Sequence, residues 1–110
     1  MPDRLTPALG LARLAETSAE FATLFTRGTL AVEFYKPDGI DRQAPHARDE
    51  VYVVVSGTGT FACEGAQRPF GPGEVLFVPA GAEHRFEAFT ADFATWVFFY
   101  GPDGGETPGG

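Results

Sequence analysis

Frequent interruption is what most constrains this chain. Fourteen glycines and nine prolines are spread through 110 residues, and between them lie short apolar runs. From Thr29 onward these runs carry strand signals. TLAVEFY (29–35) alternates Leu30, Val32 and Phe34 against Ala31, Glu33 and Tyr35. VYVVVS (51–56) ends at Gly57-Thr58, a pair suited to a two-residue hairpin turn. TFACE (60–64) stops at Gly65, and EVLFVP (74–79) lies between the turns Gly71-Pro-Gly73 and Pro79-Ala-Gly81. HRFEAF (84–89) and ATWVFFY (94–100) complete the set. Six or seven short strands with no helices between them predict an all-β antiparallel sandwich or small barrel.

Ahead of the strands, Thr17-Ser-Ala-Glu20 reads as a capping box, with Phe21, Leu24 and Phe25 on one face of a short helix that stops at Gly28. The expected organisation is therefore an N-terminal segment with a short helix (1–28), a barrel (29–100) and a flexible Gly/Pro tail (101–110). The run Trp96-Val97-Phe98-Phe99-Tyr100 is apolar on both strand faces. One face fills the barrel; the other calls for the N-terminal helix or a partner subunit, so a homodimer is expected.

Composition narrows the setting. Eight basic against fifteen acidic residues leave a formal charge of −7, which argues against nucleic acid and anionic membrane surfaces. No apolar run approaches the roughly 18 residues of a membrane span. The N-terminus lacks a signal-peptide pattern, and the single cysteine, Cys63, forms no internal disulfide. Both point to the cytoplasm.

A more specific pattern lies in the second half. Gly73 is followed by five residues, Pro79-Ala-Gly81, two residues, and His84. This resembles the second conserved motif of the cupin superfamily, with Ala88 where that motif has Asn. The stretch PHARDEVYVVVSG (45–57) resembles the first motif: His46 fits its second histidine, Glu50 its glutamate and Gly57 its closing glycine. Ala44 stands at the first histidine position, and Gly39 is one residue out of place for the leading glycine. A 15-residue segment, Thr58 to Pro72, separates the motifs, as in small single-domain bacterial-type cupins. The resemblance spans about residues 30 to 100.

It implies a double-stranded β-helix, a jelly-roll-type barrel with an internal site. Carried over by position, His46, Glu50 and His84 are three metal ligands. Two imidazoles and a carboxylate suit a divalent first-row ion (Fe, Mn, Ni or Zn), leaving positions open for water or substrate. In an extended strand His46 and Glu50 share a face, as would Arg48 unless residues 47–49 bulge. Gln43 and Asp41 lie near enough to stand in for the missing ligand. Tyr52 and Phe86 share faces with Glu50 and His84 and are pocket candidates, with ordinary barrel core as the plainer reading. Tyr35 and Tyr100 have no direction fixed by sequence. Cys63 reads as a small buried residue, Arg85 and Glu87 as surface charges, and Asp49 as a solvated one.

Two functions follow. One is a metal-dependent enzyme, an oxygenase or an isomerase/lyase acting on a small molecule, with the ion as a Lewis acid or O2-binding centre. The other is a non-catalytic cupin that binds a small ligand, as a sensor or binding module. Ala44 and Ala88 favour the second somewhat, because both loosen a site that catalysis needs rigid.

Overall fold

In the computed structural model, residues 4–107 are described. They form one helix and eight strands: α1 (Pro7–Thr17), β1 (Phe21–Arg27), β2 (Leu30–Tyr35), β3 (Asp49–Ser56), β4 (Gly59–Cys63), β5 (Ala66–Phe70), β6 (Val75–Val78), β7 (His84–Glu87) and β8 (Ala94–Tyr100). Two antiparallel sheets face each other, a five-stranded one in the order β1-β2-β8-β3-β6 and a three-stranded one in the order β5-β4-β7. No helix among the described residues is long and apolar enough to cross a membrane.

The space between the sheets is filled mainly by rings. Phe86 lies at the hub, with Phe93 (4.6 Å), Tyr52 (4.9 Å) and Phe61 (4.9 Å) around it. Tyr52, Phe86 and Phe93 are almost fully buried, each worth about 1.5–3 kcal/mol in burial alone. Phe86 is thus core, the plainer of its two readings.

The helix lies earlier than its sequence signals suggested. Thr6 caps α1 by accepting from Leu9 N–H (3.2 Å), Pro7 occupies the first turn, and Ser18 closes it in the left-handed conformation. The segment read as helical, Phe21–Arg27, is instead β1, joined to β2 by a tight turn at Gly28. A register shift between Thr23 and Phe25 breaks its alternation and produces the helix-like spacing of Phe21, Leu24 and Phe25. Tertiary pairing with β2 overrides that local pattern.

The helix nevertheless does the covering expected of it. Leu14 packs with Ala22, Phe34 and Ala94 on the outer face of the large sheet, with Trp96 beside them. Contact is close at Gly10, where a Cβ would fall 2.5 Å from the Phe34 ring.

One other turn differs from expectation. Gly57-Thr58 is not a hairpin, because β3 and β4 belong to different sheets; the pair carries the chain across. Gly57 has φ +84, and a Cβ there would meet the Phe93 backbone at 2.4 Å, so only glycine fits. A tight hairpin lies instead at Glu64-Gly65, both at positive φ, between β4 and β5.

The tail and Asp49 also depart from the sequence reading. Asp49 is 5% exposed rather than solvated. Its carboxylate accepts from Ala80 N–H (2.9 Å) and Glu106 N–H (2.9 Å), while Gly104 N–H reaches the Ala47 carbonyl (2.7 Å). Residues 101–106 are therefore fastened to the barrel rather than trailing from it; 108–110 lie outside the described residues.

Ala88, where the motif has Asn, sits in the left-handed region at φ 49 and is exposed. Asn tolerates that conformation better than alanine. Ala88→Asn should therefore stabilise the protein by about 0.5–1 kcal/mol, read as a Tm rise of a few degrees. An unchanged or lower Tm would contradict this account of the position.

Candidate metal centre

The three candidate ligands come from different parts of the barrel. Glu50 is the second residue of β3, His84 opens β7 in the opposite sheet, and His46 lies in the loop leading to β3. Each offers a ligand atom, and these atoms lie within 4.8 Å of one another. The chain bends at Ala47-Arg48. Arg48 thereby leaves the ligand face: its guanidinium donates to the Thr29 carbonyl and stacks over Phe99. The bend left open by the sequence is thus present.

The Pro79-Ala-Gly81 turn shows why its spacing matters. Gly81, at φ +80, donates its N–H to the His46 carbonyl (2.7 Å). The next carbonyl, that of Ala82, lies 3.0 Å from His84 Nδ1. A carbonyl can only accept, so the Nδ1 proton points to it and the Nε2 lone pair turns inward. His46 packs edge-on to Phe99, with ring centroids 4.8 Å apart.

Glu50 is 1% exposed, and its Oε1 lies 3.0 Å from His84 Nε2. Even so, Glu50 Oε1 and Oε2, His84 Nε2 and His46 Nε2 are all buried without a hydrogen-bond partner. Four buried polar atoms without a hydrogen-bond partner are costly in a dry interior. A divalent cation held by two imidazoles and a carboxylate satisfies all three groups together, so the residues fit a metal.

The other candidates form a hydrogen-bonded network beside this centre. Asp41, 1% exposed, accepts from Tyr35 Oη (2.7 Å), Gln43 N–H (3.0 Å), Gln43 Nε2 (3.1 Å) and Phe86 N–H (2.8 Å). Gln43 Oε1 accepts from Tyr52 Oη (2.9 Å). Asp41 and Gln43 are thus bonded to one another and to their neighbours. Tyr35 points inward, while Tyr100 is half-buried. Arg85, though exposed, donates to the Asp41 carbonyl (2.8 Å). Glu87 accepts from Gln67 at the surface. The importance of Asp41 was missed in the sequence; an Asx turn onto Gln43 was its only local signal.

Two cavities flank the centre. One, of about 450 Å3, is lined by His84, Cys63 and Gln43. The other, about 270 Å3 and mainly apolar, is lined by His46, Tyr35, Val97 and Phe99. Ala44, exposed, borders both. Cys63 is half-buried, and burial followed by the charges of Glu64 and Glu50 pushes its thiol up. Burial and the Glu50 charge likewise raise Tyr52, and burial and Asp41 raise Tyr35.

Residues 31–100 match the family model described as "Cupin domain". An uncharacterized protein of Streptomyces coelicolor is 32% identical over 94 residues, which cover 84% of this chain and 90% of the relative. Among solved structures, a candidate mannose-6-phosphate isomerase from Ralstonia eutropha is 28% identical (TM-score 0.59), covering 74% of this chain and 83% of that one. An RmlC-like cupin family protein from Methanocaldococcus jannaschii, with a double-stranded β-helix fold, is 13% identical (TM-score 0.63) and covers 73% and 77% of the two chains. The present fold is likewise a double-stranded β-helix.

For His84, burial lowers the pKa, but the Glu50 carboxylate, the Ala82 carbonyl and the charge of Asp41 together carry it above 6.5. A histidine raised in the folded state stabilises the protein below its unfolded pKa, and that contribution is lost as pH rises through the folded value. Chelator-treated protein should therefore lose stability as pH rises from 6.5, and Glu50→Gln should flatten that slope in urea titrations. A wild-type stability that is level across this range would rule the coupling out.

Proposed function

The chain belongs to the cupin family, and from that footing we propose that it is a small metal-binding cupin whose ion is held by His46, Glu50 and His84. The observation that carries the reading is the set of four buried polar atoms without hydrogen-bond partners, brought together from both sheets and the loop before β3. A divalent ion (Fe, Mn, Ni or Zn) would supply Lewis acidity at the centre. The chain's own residues set the surroundings. His84 presents Nε2 because Ala82 holds its Nδ1 proton, and Gly81 fixes the His46 loop. Phe99 and Val97 keep the adjoining cavity apolar.

In this reading the protein is a cytoplasmic enzyme of the oxygenase or isomerase/lyase type, acting on a small molecule with an apolar part. The isomerase branch draws support from the Ralstonia relative. The gap at Ala44, open to both cavities, equally suits a non-catalytic cupin that binds a small ligand there. Metal analysis of tag-free protein comes first. Near-stoichiometric ion in the wild type, lost in His84→Ala and Glu50→Ala, is the expected result. No ion after anaerobic reconstitution with each metal would sink the proposal. Turnover by the loaded protein then separates enzyme from binding module, since the latter shows ligand-induced stabilisation alone.

We also infer a homodimer, formed through the edge of the large sheet. Cross-strand pairing aligns Phe77, Val51 and Phe98 in one outer row and Val75, Val53 and Trp96 in the next. Val75 (65% exposed) and Phe77 (52% exposed) lie on edge strand β6, which has no charge or proline to discourage pairing. Antiparallel pairing of β6 with its own copy has the two-fold symmetry of most homodimers. Light scattering should give twice the chain mass for wild type and the chain mass for Phe77→Lys. A monomeric wild type would exclude the dimer.

A further inference from the structure

The hydrogen bonds beside the metal centre have directions that can be worked out one by one. Asp41 Oδ1 faces the Tyr35 hydroxyl and the Gln43 backbone N–H, and Oδ2 faces Phe86 N–H and the Gln43 side chain. A buried carboxylate surrounded by donors acts as acceptor only, so Gln43 must turn its NH2 toward Asp41. The opposite end of that carboxamide, Oε1, can only accept. It meets Tyr52 Oη at 2.9 Å, so Tyr52 is the donor.

The proton of Tyr52 is thereby committed to Gln43. Tyr52 and Glu50 are two residues apart on the same face of β3 and are both buried. Without this commitment, the hydroxyl would be free to turn toward the carboxylate and satisfy one of its donorless oxygens. As arranged, it offers Glu50 only lone pairs, and both Glu50 oxygens stay without a hydrogen bond.

We propose that Asp41 and Gln43 are positioning residues for the metal centre: through Tyr52 they withhold a competing proton from Glu50 and reserve the carboxylate for the ion. The proposal rests on the metal-binding reading above and adds what maintains affinity with three protein ligands. Neither residue is among the three that would hold the ion. Arg85 and the Phe86 N–H hold Asp41 from β7, the strand that also carries His84.

The test is a Co2+ titration followed by visible absorption, on wild type, Gln43→Met, Tyr52→Phe and the Gln43→Met/Tyr52→Phe double variant. Gln43 is half-buried and its backbone bond to Asp41 survives the change, so Gln43→Met should remain folded, checked by thermal unfolding of each metal-free protein. Gln43→Met should bind Co2+ about tenfold more weakly, the usual scale for losing a group that orients a ligand. In the double variant no hydroxyl is left to turn toward Glu50, so affinity should return to within about threefold of Tyr52→Phe alone. A loss of packing alone would not be reversed by removing another side chain. Asp41→Asn, which disturbs more bonds, should act in the same direction, and Tyr52→Phe should again relieve its defect.

Wild-type affinity in Gln43→Met, or a double variant as weak as the single, would overturn the proposal while leaving the metal site standing. A wild-type protein that takes up no Co2+, Zn2+ or Mn2+ would overturn the metal reading and this proposal with it.

Discussion

A carboxylate enclosed between two β-sheets, with no donor to either oxygen, governs the arrangement around it. Glu50 faces His84 from the opposite sheet at 3.0 Å, and both present lone pairs to the same point. Removing a charge from water costs several kcal/mol even after the surroundings relax. Neither Glu50 oxygen has a hydrogen-bond partner among the described residues. Either a proton on the His84 ring or a cation between the groups must balance it. Because Glu50 and His84 sit on separate sheets, whatever balances that charge also ties the two halves of the barrel together.

The scaffold around this charge is made of directed hydrogen bonds rather than extra bulk. One turn, Pro79 to Ala82, serves both histidines, holding the His46 loop through Gly81 and aiming His84 through Ala82. Asp49 then joins that turn to residues 101–106. Neighbouring residues on β3 therefore have opposite duties. Glu50 faces inward with no hydrogen bond, and Asp49 faces the other way, where backbone donors satisfy it.

Much of this was legible in the chain. Strands β2, β3, β4, β6, β7 and β8 follow apolar runs bounded mostly by glycine and proline, and the spacing of Pro79-Ala-Gly81 to His84 marked the turn before the candidate ligand; β5, AQRPF with Pro69 inside it, carried no strand signal. Less legible was whatever depended on distant partners. Phe21, Leu24 and Phe25 mimic a helical face because a bulge in β1 shifts their alternation, and only pairing with β2 reveals a strand. Gly57-Thr58 has hairpin chemistry but carries the chain between sheets, a role set by the Phe93 backbone pressed against Gly57. Asp49 looked like a solvated strand-end charge because its donors lie 31 and 57 residues away. Asp41 was noticed only for its nearness to the missing ligand, whereas its partners include Phe86, 45 residues on.

The order of strands in the large sheet has a consequence for synthesis. β8 is the last made of the described strands, yet it lies at the centre of that sheet, between β2 and β3. During translation β1 and β2 can pair early through their short turn, and so can β4 and β5. The Phe34 and Trp96 rings meet at 4.8 Å only once β8 has left the ribosome. Until then β2 and β3 each present an open edge, and the large sheet is split into a β1-β2 pair and a β3-β6 pair. Assembly is therefore a late, all-at-once event with long loops to close, the regime in which folding is slow and unfinished chains depend on being shielded from one another.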